Sequence, residues 1–179
     1  PLCGIKGCFL QEILEPTSPY VTHFQENKDE LIDRLYRLYN TTLFKNQLPK
    51  KMKITWNKRL TATGGQCSFF GNFTNRKAQI ELAAKICDSA DRLENILVHE
   101  MCHAACWLIH ADNRSFHEDL WKSYAELVTK VHPELSPVSE FHVYSTNYPF
   151  LYGCTKCGDR LGRFHRIPTN KAICKKCNI

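Results

Sequence analysis

Five residues, His99-Glu100-Met101-Cys102-His103, set two imidazoles four positions apart with a carboxylate beside the first. On a helix, positions i and i+4 share a face, so both imidazoles can reach one metal ion at about 2.0–2.1 Å. Glu100 stands one residue round the helix, where it can act as general base on a zinc-bound water without being a ligand. The run lies in an apolar stretch whose other sides Leu93, Ile96, Leu97, Met101, Ala104, Ala105 and Leu108 can bury. Two histidines and a glutamate in such surroundings cost stability unless they have partners, which favours a metal site over a merely structural helix. Catalytic zinc takes three protein ligands and keeps a position for water. His117 is the expected third ligand, opening the next helix after a chain-reversing turn, with Glu118 and Asp119 as lesser alternatives. His110 lies about 10 Å further along the same helix as His103 and cannot join the same ion.

A second metal pattern closes the chain. Cys154-x2-Cys157 and Cys174-x2-Cys177, separated by 16 residues, have zinc-ribbon spacing. Four thiolates complete a tetrahedron with no position for water, so this zinc is structural, and a short element with few apolar groups needs it to fold. Zinc is therefore expected at two sites per chain, one catalytic and one structural. Cys67, Cys87, Cys102 and Cys106 read as small core residues, and so many free thiols fit a reducing compartment.

The elements that must position these residues follow from hydrophobic spacing. Residues 1–22, with Pro16 and Pro19, read as an irregular lead-in. Leu31, Ile32, Leu35, Tyr36, Leu38, Tyr39 and Leu43 recur at helical spacing and predict an amphipathic helix from about Asn27 to Phe44. Strands are expected at KMKITW, after Pro49, and at KAQIELA, with Ile80 and Leu82 on one face. Between them, Gly64-Gly65 marks a bulge or a place where another backbone comes close. Asp88 or Ser89 can cap the helix that carries the two histidines, which runs to about His110. A further helix is expected from about Ser115 to His132, stopped by Pro133, and residues 134–150 are expected to be extended.

At 179 residues with 43% hydrophobic and 23% charged side chains, the chain can build a core, which excludes general disorder. No apolar run approaches the roughly 18 residues of a membrane span. The chain begins at Pro1 and ends two residues past Cys177, as expected of a piece of a longer protein with its ribbon truncated. Net charge is +6, and all of the excess lies in residues 150–179, which hold seven basic side chains against one acidic. Arg160, Arg163, Arg166, Lys171, Lys175 and Lys176, interleaved with Tyr152, Phe164 and His165, are candidate contacts to nucleic-acid phosphates and bases.

The run VHEMCHAACWLIHADNRSFHEDLWKSYA resembles the SprT-like, Spartan-type zinc metalloproteases, most closely their germ cell nuclear acidic protein branch. LYRLYNTTLFKNQLPKKMKITWNKRL, CDSADRLENILVHEMCHA, VHPEL and YGCTKCG…CKKC extend the similarity over nearly the whole chain from Cys8. The resemblance implies an α+β, zincin-like metalloprotease domain over residues 23–150, followed by a zinc ribbon over 151–179. It also implies His99, His103 and His117 as zinc ligands and Glu100 as catalytic base. Two positions depart from the family pattern: Phe116 and Glu118 flank His117 where glycines are common, and Thr63-Gly64-Gly65 replaces Thr-Ala-Gly. The implied activity is a zinc metalloendopeptidase acting on DNA-associated or DNA-crosslinked proteins. Its setting would be nuclear and chromatin-associated, with single-stranded or junction-containing DNA as partner, no membrane, and a monomeric chain. Gly65, His142 and Tyr144 are expected at the substrate cleft, where an extended substrate could pair with an exposed strand edge near residues 65–69 or 79–82. The competing reading is a non-catalytic DNA-binding module with a vestigial HExxH zinc site.

Overall fold

The computed structural model describes residues 9–113, 117–140, 148–168, 173–174 and 176–177, in two compact units, Pro1–His142 and Val143–Ile179. In the first unit, a 3-10 turn at Leu10–Ile13 and a single-turn helix α1, Pro19–Thr22, occupy the segment expected to be irregular. Local capping and burial account for them. Ser18 Oγ accepts the Tyr20 amide at 3.2 Å, Pro19 supplies a preset φ at the helix start, and Phe9, Leu10, Ile13 and Tyr20 are buried. Helix α2, Phe24–Thr42, starts three residues earlier than the hydrophobic stripe predicts because Phe24 is itself buried and extends that stripe. Its end is set by Asn40, whose buried amide donates to Leu48 O and accepts from Leu48 N, both at 3.1 Å, so the chain folds back through left-handed Lys45 and Asn46.

Strands β1, Lys53–Asn57, β2, Gly65–Asn72, and β3, Asn75–Ala83, form a sheet of order β1-β3-β2. β1 runs parallel to β3, and β2 antiparallel. Register places Gly65, Cys67 and Phe69 of β2 beside Leu82, Ile80 and Ala78 of β3, and Ile54 and Trp56 of β1 beside Ile80 and Leu82. Side chains alternate between faces, so these residues share the inner face, where Ile80 and Leu82 are fully buried. Gln66, Phe70, Lys77, Lys53 and Thr55 are exposed on the outer face.

Helix α3, Ala90–His110, packs against α2, β2, β3 and helix α4, Asp119–Val131. Ser89 holds the N-cap position without a side-chain cap bond, and Asp88 instead pairs with Arg92 at 2.9 Å. The far end closes on Ala111, in the left-handed region at φ 59°, and on Asp112 N, which donates to Cys106 O at 3.0 Å. α4 begins four residues later than the predicted start at Ser115. Its N-cap is Glu118, with extended backbone, so His117 precedes the helix rather than opening it. A buried polar cluster ties the helices together. Tyr39 Oη of α2 donates to Glu94 Oε1 of α3 at 2.5 Å, while His132, after α4, meets Thr42 Oγ1 at 2.9 Å and Glu134 Oε1 at 3.4 Å.

The second unit carries a hairpin, β4, Phe150–Gly153, with β5, Arg160–Arg163. Its turn is closed by Cys154 N donating to Asp159 O at 2.8 Å and by Gly158, whose φ of 71° suits the tight knuckle the CxxC pair requires. Among the described residues no helix is long and apolar enough to cross a membrane.

Candidate metal centres

α3 delivers His99 and His103 on one face, as their spacing requires, both buried with Glu100 between them in sequence. His117 comes in from just before α4, ahead of the extended N-cap Glu118. Its Nε2 lies 3.1 Å from His99 Nε2, and His103 Nε2 is also 3.1 Å from His99 Nε2. Ligands bound tetrahedrally at the usual zinc–nitrogen distance stand roughly 3.3 Å apart, so this triangle fits a single ion. The tautomer of His99 follows from its other nitrogen. Nδ1 lies 2.8 Å from Ser139 O, a carbonyl that only accepts, so Nδ1 carries the proton and Nε2 keeps its lone pair for a cation. A set of three imidazole nitrogens suits a divalent metal that imidazole prefers.

Glu100 is 3% exposed and lies beside the start of β2. A Cβ built on Gly65 would stand 2.8 Å from Glu100 Cγ and 2.9 Å from Oε1. The Gly64-Gly65 pair thus marks a close approach, as expected, but what approaches is the glutamate side chain. β2 is an edge strand among the described residues, and its edge starts at this glycine, whereas the other expected edge, residues 79–82, lies on the central strand β3 and is paired on both sides. Surrounding thiols are kept protonated. Burial, with Glu100 and Cys106 as further causes, raises the Cys67 thiol far above its ordinary value; burial, then Cys106 and Glu100, does the same for Cys102. Cys87 and Cys106 are pushed up to about 12, mainly by burial. Burial thus favours the neutral thiol at all four, which agrees with their reading as small core residues.

In the second unit Cys154 Sγ lies 3.6 Å from Cys177 Sγ, and Cys157 Sγ lies 3.6 Å from Cys174 Sγ. All four ligand atoms fall within 4.8 Å of one another, close to the roughly 3.8 Å edge of a zinc–thiolate tetrahedron. Backbone N–H groups of Cys157 and Lys156 pull the Cys154 thiol down to about 6, while desolvation and the neighbouring thiols push Cys177 up to about 12, so the four do not ionise together without a cation.

The expected basic residues divide by strand face. On β4 and β5, Phe150, Tyr152, Leu161 and Arg163 share one face, whereas Leu151, Gly153, Arg160 and Gly162 share the other. Arg166 stands 5.6 Å over the Phe150 ring, so Arg163 and Arg166 gather on the aromatic face and Arg160 does not join them. Tyr152 Oη accepts the Ile167 amide at 3.0 Å, and Phe164 packs tilted against Tyr148 with centroids 5.0 Å apart, which engages both rings within the ribbon. Lys176 is exposed, 3.9 Å from Asp159. Lys171, Lys175, His142 and Tyr144 lie outside the described residues.

Two groups near the histidines escaped the sequence reading. The Ser139 carbonyl carries no side-chain signal at all. Trp121 could have been noticed four residues past His117, where an apolar residue in the first turn of α4 must face α3.

Comparison with known proteins locates these features. The SprT-like family model matches residues 32–142. Germ cell nuclear acidic protein of Homo sapiens is 41% identical over 99% of this chain and 26% of its own length. Its Drosophila melanogaster counterpart is 35% identical over 82% of this chain and 14% of its own length. A protein SprT-like of Staphylococcus saprophyticus is 31% identical over 74% of this chain and 81% of its own length. The chain thus spans about a quarter or less of these two germ cell nuclear acidic proteins and most of the bacterial relative.

Proposed function

The chain belongs to the SprT-like family, and from that membership we propose that it is a zinc metalloendopeptidase acting on proteins associated with or crosslinked to DNA. The observation that carries this reading is the convergence of three Nε2 atoms, from His99, His103 and His117, beside the buried Glu100 carboxylate. When bound there, zinc supplies Lewis acidity, lowering the pKa of a water toward about 7 and polarising a carbonyl. His99, His103 and His117 would hold it, with His99 oriented by Ser139. Glu100 takes the proton of the attacking water and returns it to the leaving amine. The edge of β2, unpaired among the described residues, offers main-chain hydrogen bonds to an extended substrate, beginning at Gly65 beside Glu100. A helix-borne histidine pair, a third histidine before the following helix and a small mixed sheet support a zincin-like assignment for the first unit.

The second unit is assigned a structural zinc at Cys154, Cys157, Cys174 and Cys177 and a role in holding DNA. Arg163 and Arg166 on its aromatic face are the leading contacts, with Arg160, Lys171, Lys175 and Lys176 as outlying ones. A nuclear setting is consistent with the name of the human relative, germ cell nuclear acidic protein.

Zinc content and cleavage of a DNA-bound protein, measured on the same preparations, test the proposal. Wild type should hold two zinc ions per chain, His117→Ala one, and Glu100→Gln two with no cleavage. Turnover surviving in Glu100→Gln would remove the base from the mechanism. One zinc in all three, with DNA still bound, would leave a non-catalytic DNA-binding module.

A further inference from the structure

Trp121 touches all three histidines. Its ring centroid lies 4.3 Å from that of His117, 4.8 Å from His99 and 5.6 Å from His103. The indole is 3% exposed, and its Nε1 donates to the His99 carbonyl at 3.4 Å. One flat, rigid side chain therefore walls the face of the triangle formed by the three imidazoles. The first turn of α4 supplies this wall, and His117, just before that turn, supplies the third imidazole.

We propose that Trp121 is a positioning residue of the three-histidine centre, its indole holding the imidazole planes so that their Nε2 atoms converge before a metal arrives. The inference rests on the zinc reading above and adds a residue to it. Each histidine has two side-chain torsions to immobilise, and a centre whose ligands are already confined binds with less ordering cost. His99 and His103 have their Cα–Cβ directions set by α3. His117 precedes its helix and has no such support from a regular backbone, so a wall four residues on, at the shortest of the three ring distances, matters most for it.

Cobalt titration of the chain with its ribbon already zinc-loaded reads this directly. Trp121→Phe keeps a ring face and should bind cobalt within about threefold of wild type. Trp121→Leu fills apolar volume without a plane and should lose about 10–100-fold in affinity, the range for disturbed ligand support, with a shifted visible band. Far-UV circular dichroism and ribbon zinc should stay unchanged. A Leu variant with wild-type affinity and band overturns the proposal. Should that variant not fold, Trp56→Phe with Trp107→Phe leaves Trp121 as the sole tryptophan, since the chain has three. Its emission should then be quenched by the first equivalent of cobalt, and unchanged emission overturns the proposal as well. A wild-type chain with no histidine-bound cobalt sinks the zinc reading itself, an outcome visible before any variant is made.

Discussion

Gly65 and Glu100 illustrate how little room the site leaves at the level of single residues. The backbone of Gly65 is not in the left-handed region, so the constraint is space: a methyl group there would meet the Glu100 side chain at under 3 Å. Backbone on one side and a buried helix on the other leave the carboxylate arm as the part that moves. If Glu100 is the base proposed above, Gly65→Ala is expected to lower kcat by about tenfold or more, equivalent to about 1.4 kcal/mol of barrier, without changing zinc content. Unchanged kcat would show that Glu100 can shift without losing its proton-transfer geometry. The glycine pair was legible as a crowded place, but its neighbour, 35 positions away in the chain, was not.

Among the elements, α3 does most of the positioning, and its N-terminal half carries a carboxylate that the sequence reading passed over. Burial pushes Glu94 up to about 7; the Tyr39 hydroxyl draws it down, while Asp91 and Glu134 raise it further. A carboxyl group with a folded pKa above its unfolded value stabilises the fold while protonated. That stability is lost as pH rises from about 4.5 through about 7. His132 has the opposite sign: burial lowers its pKa below 6.5, so it costs stability as pH falls below that value. The contribution of Glu94 therefore separates most cleanly above pH 6.5. Between pH 6.5 and 8, wild type should lose about 1 kcal/mol relative to Glu94→Gln in urea unfolding, and a constant difference across that range would argue against a protonated Glu94. Helix types and most boundaries were readable from apolar spacing. The late start of α4 was not, because His117 lies before the helix and serves a contact with α3 that no local pattern encodes.

At the scale of the whole molecule, charge and chemistry are segregated along the chain. Residues 1–149 balance 17 basic against 17 acidic side chains, and the net charge of +6 belongs to the cysteine-rich end. If that end holds DNA through its aromatic face, replacing Arg163 and Arg166 by Gln should flatten the salt dependence of single-stranded DNA binding. The expected change in slope of log K against log salt is about 1.4, at roughly 0.7 per phosphate contact, and Arg160→Gln should change it less. Equal effects from all three arginines would place the contact elsewhere than the Phe150 face. Both metal patterns were legible in the sequence because a helical turn and a CxxC knuckle bring their own residues together, whatever the remainder of the chain does. The sequence already favoured His117 as third ligand over Glu118 and Asp119; only the tertiary structure decided how closely it approaches His99, that Ser139 sets the His99 tautomer, that Trp121 walls the imidazoles and that Gly65 leaves space for Glu100. Each of those contacts joins separate elements, and their distances depend on packing across the core, which spacing along one segment does not encode.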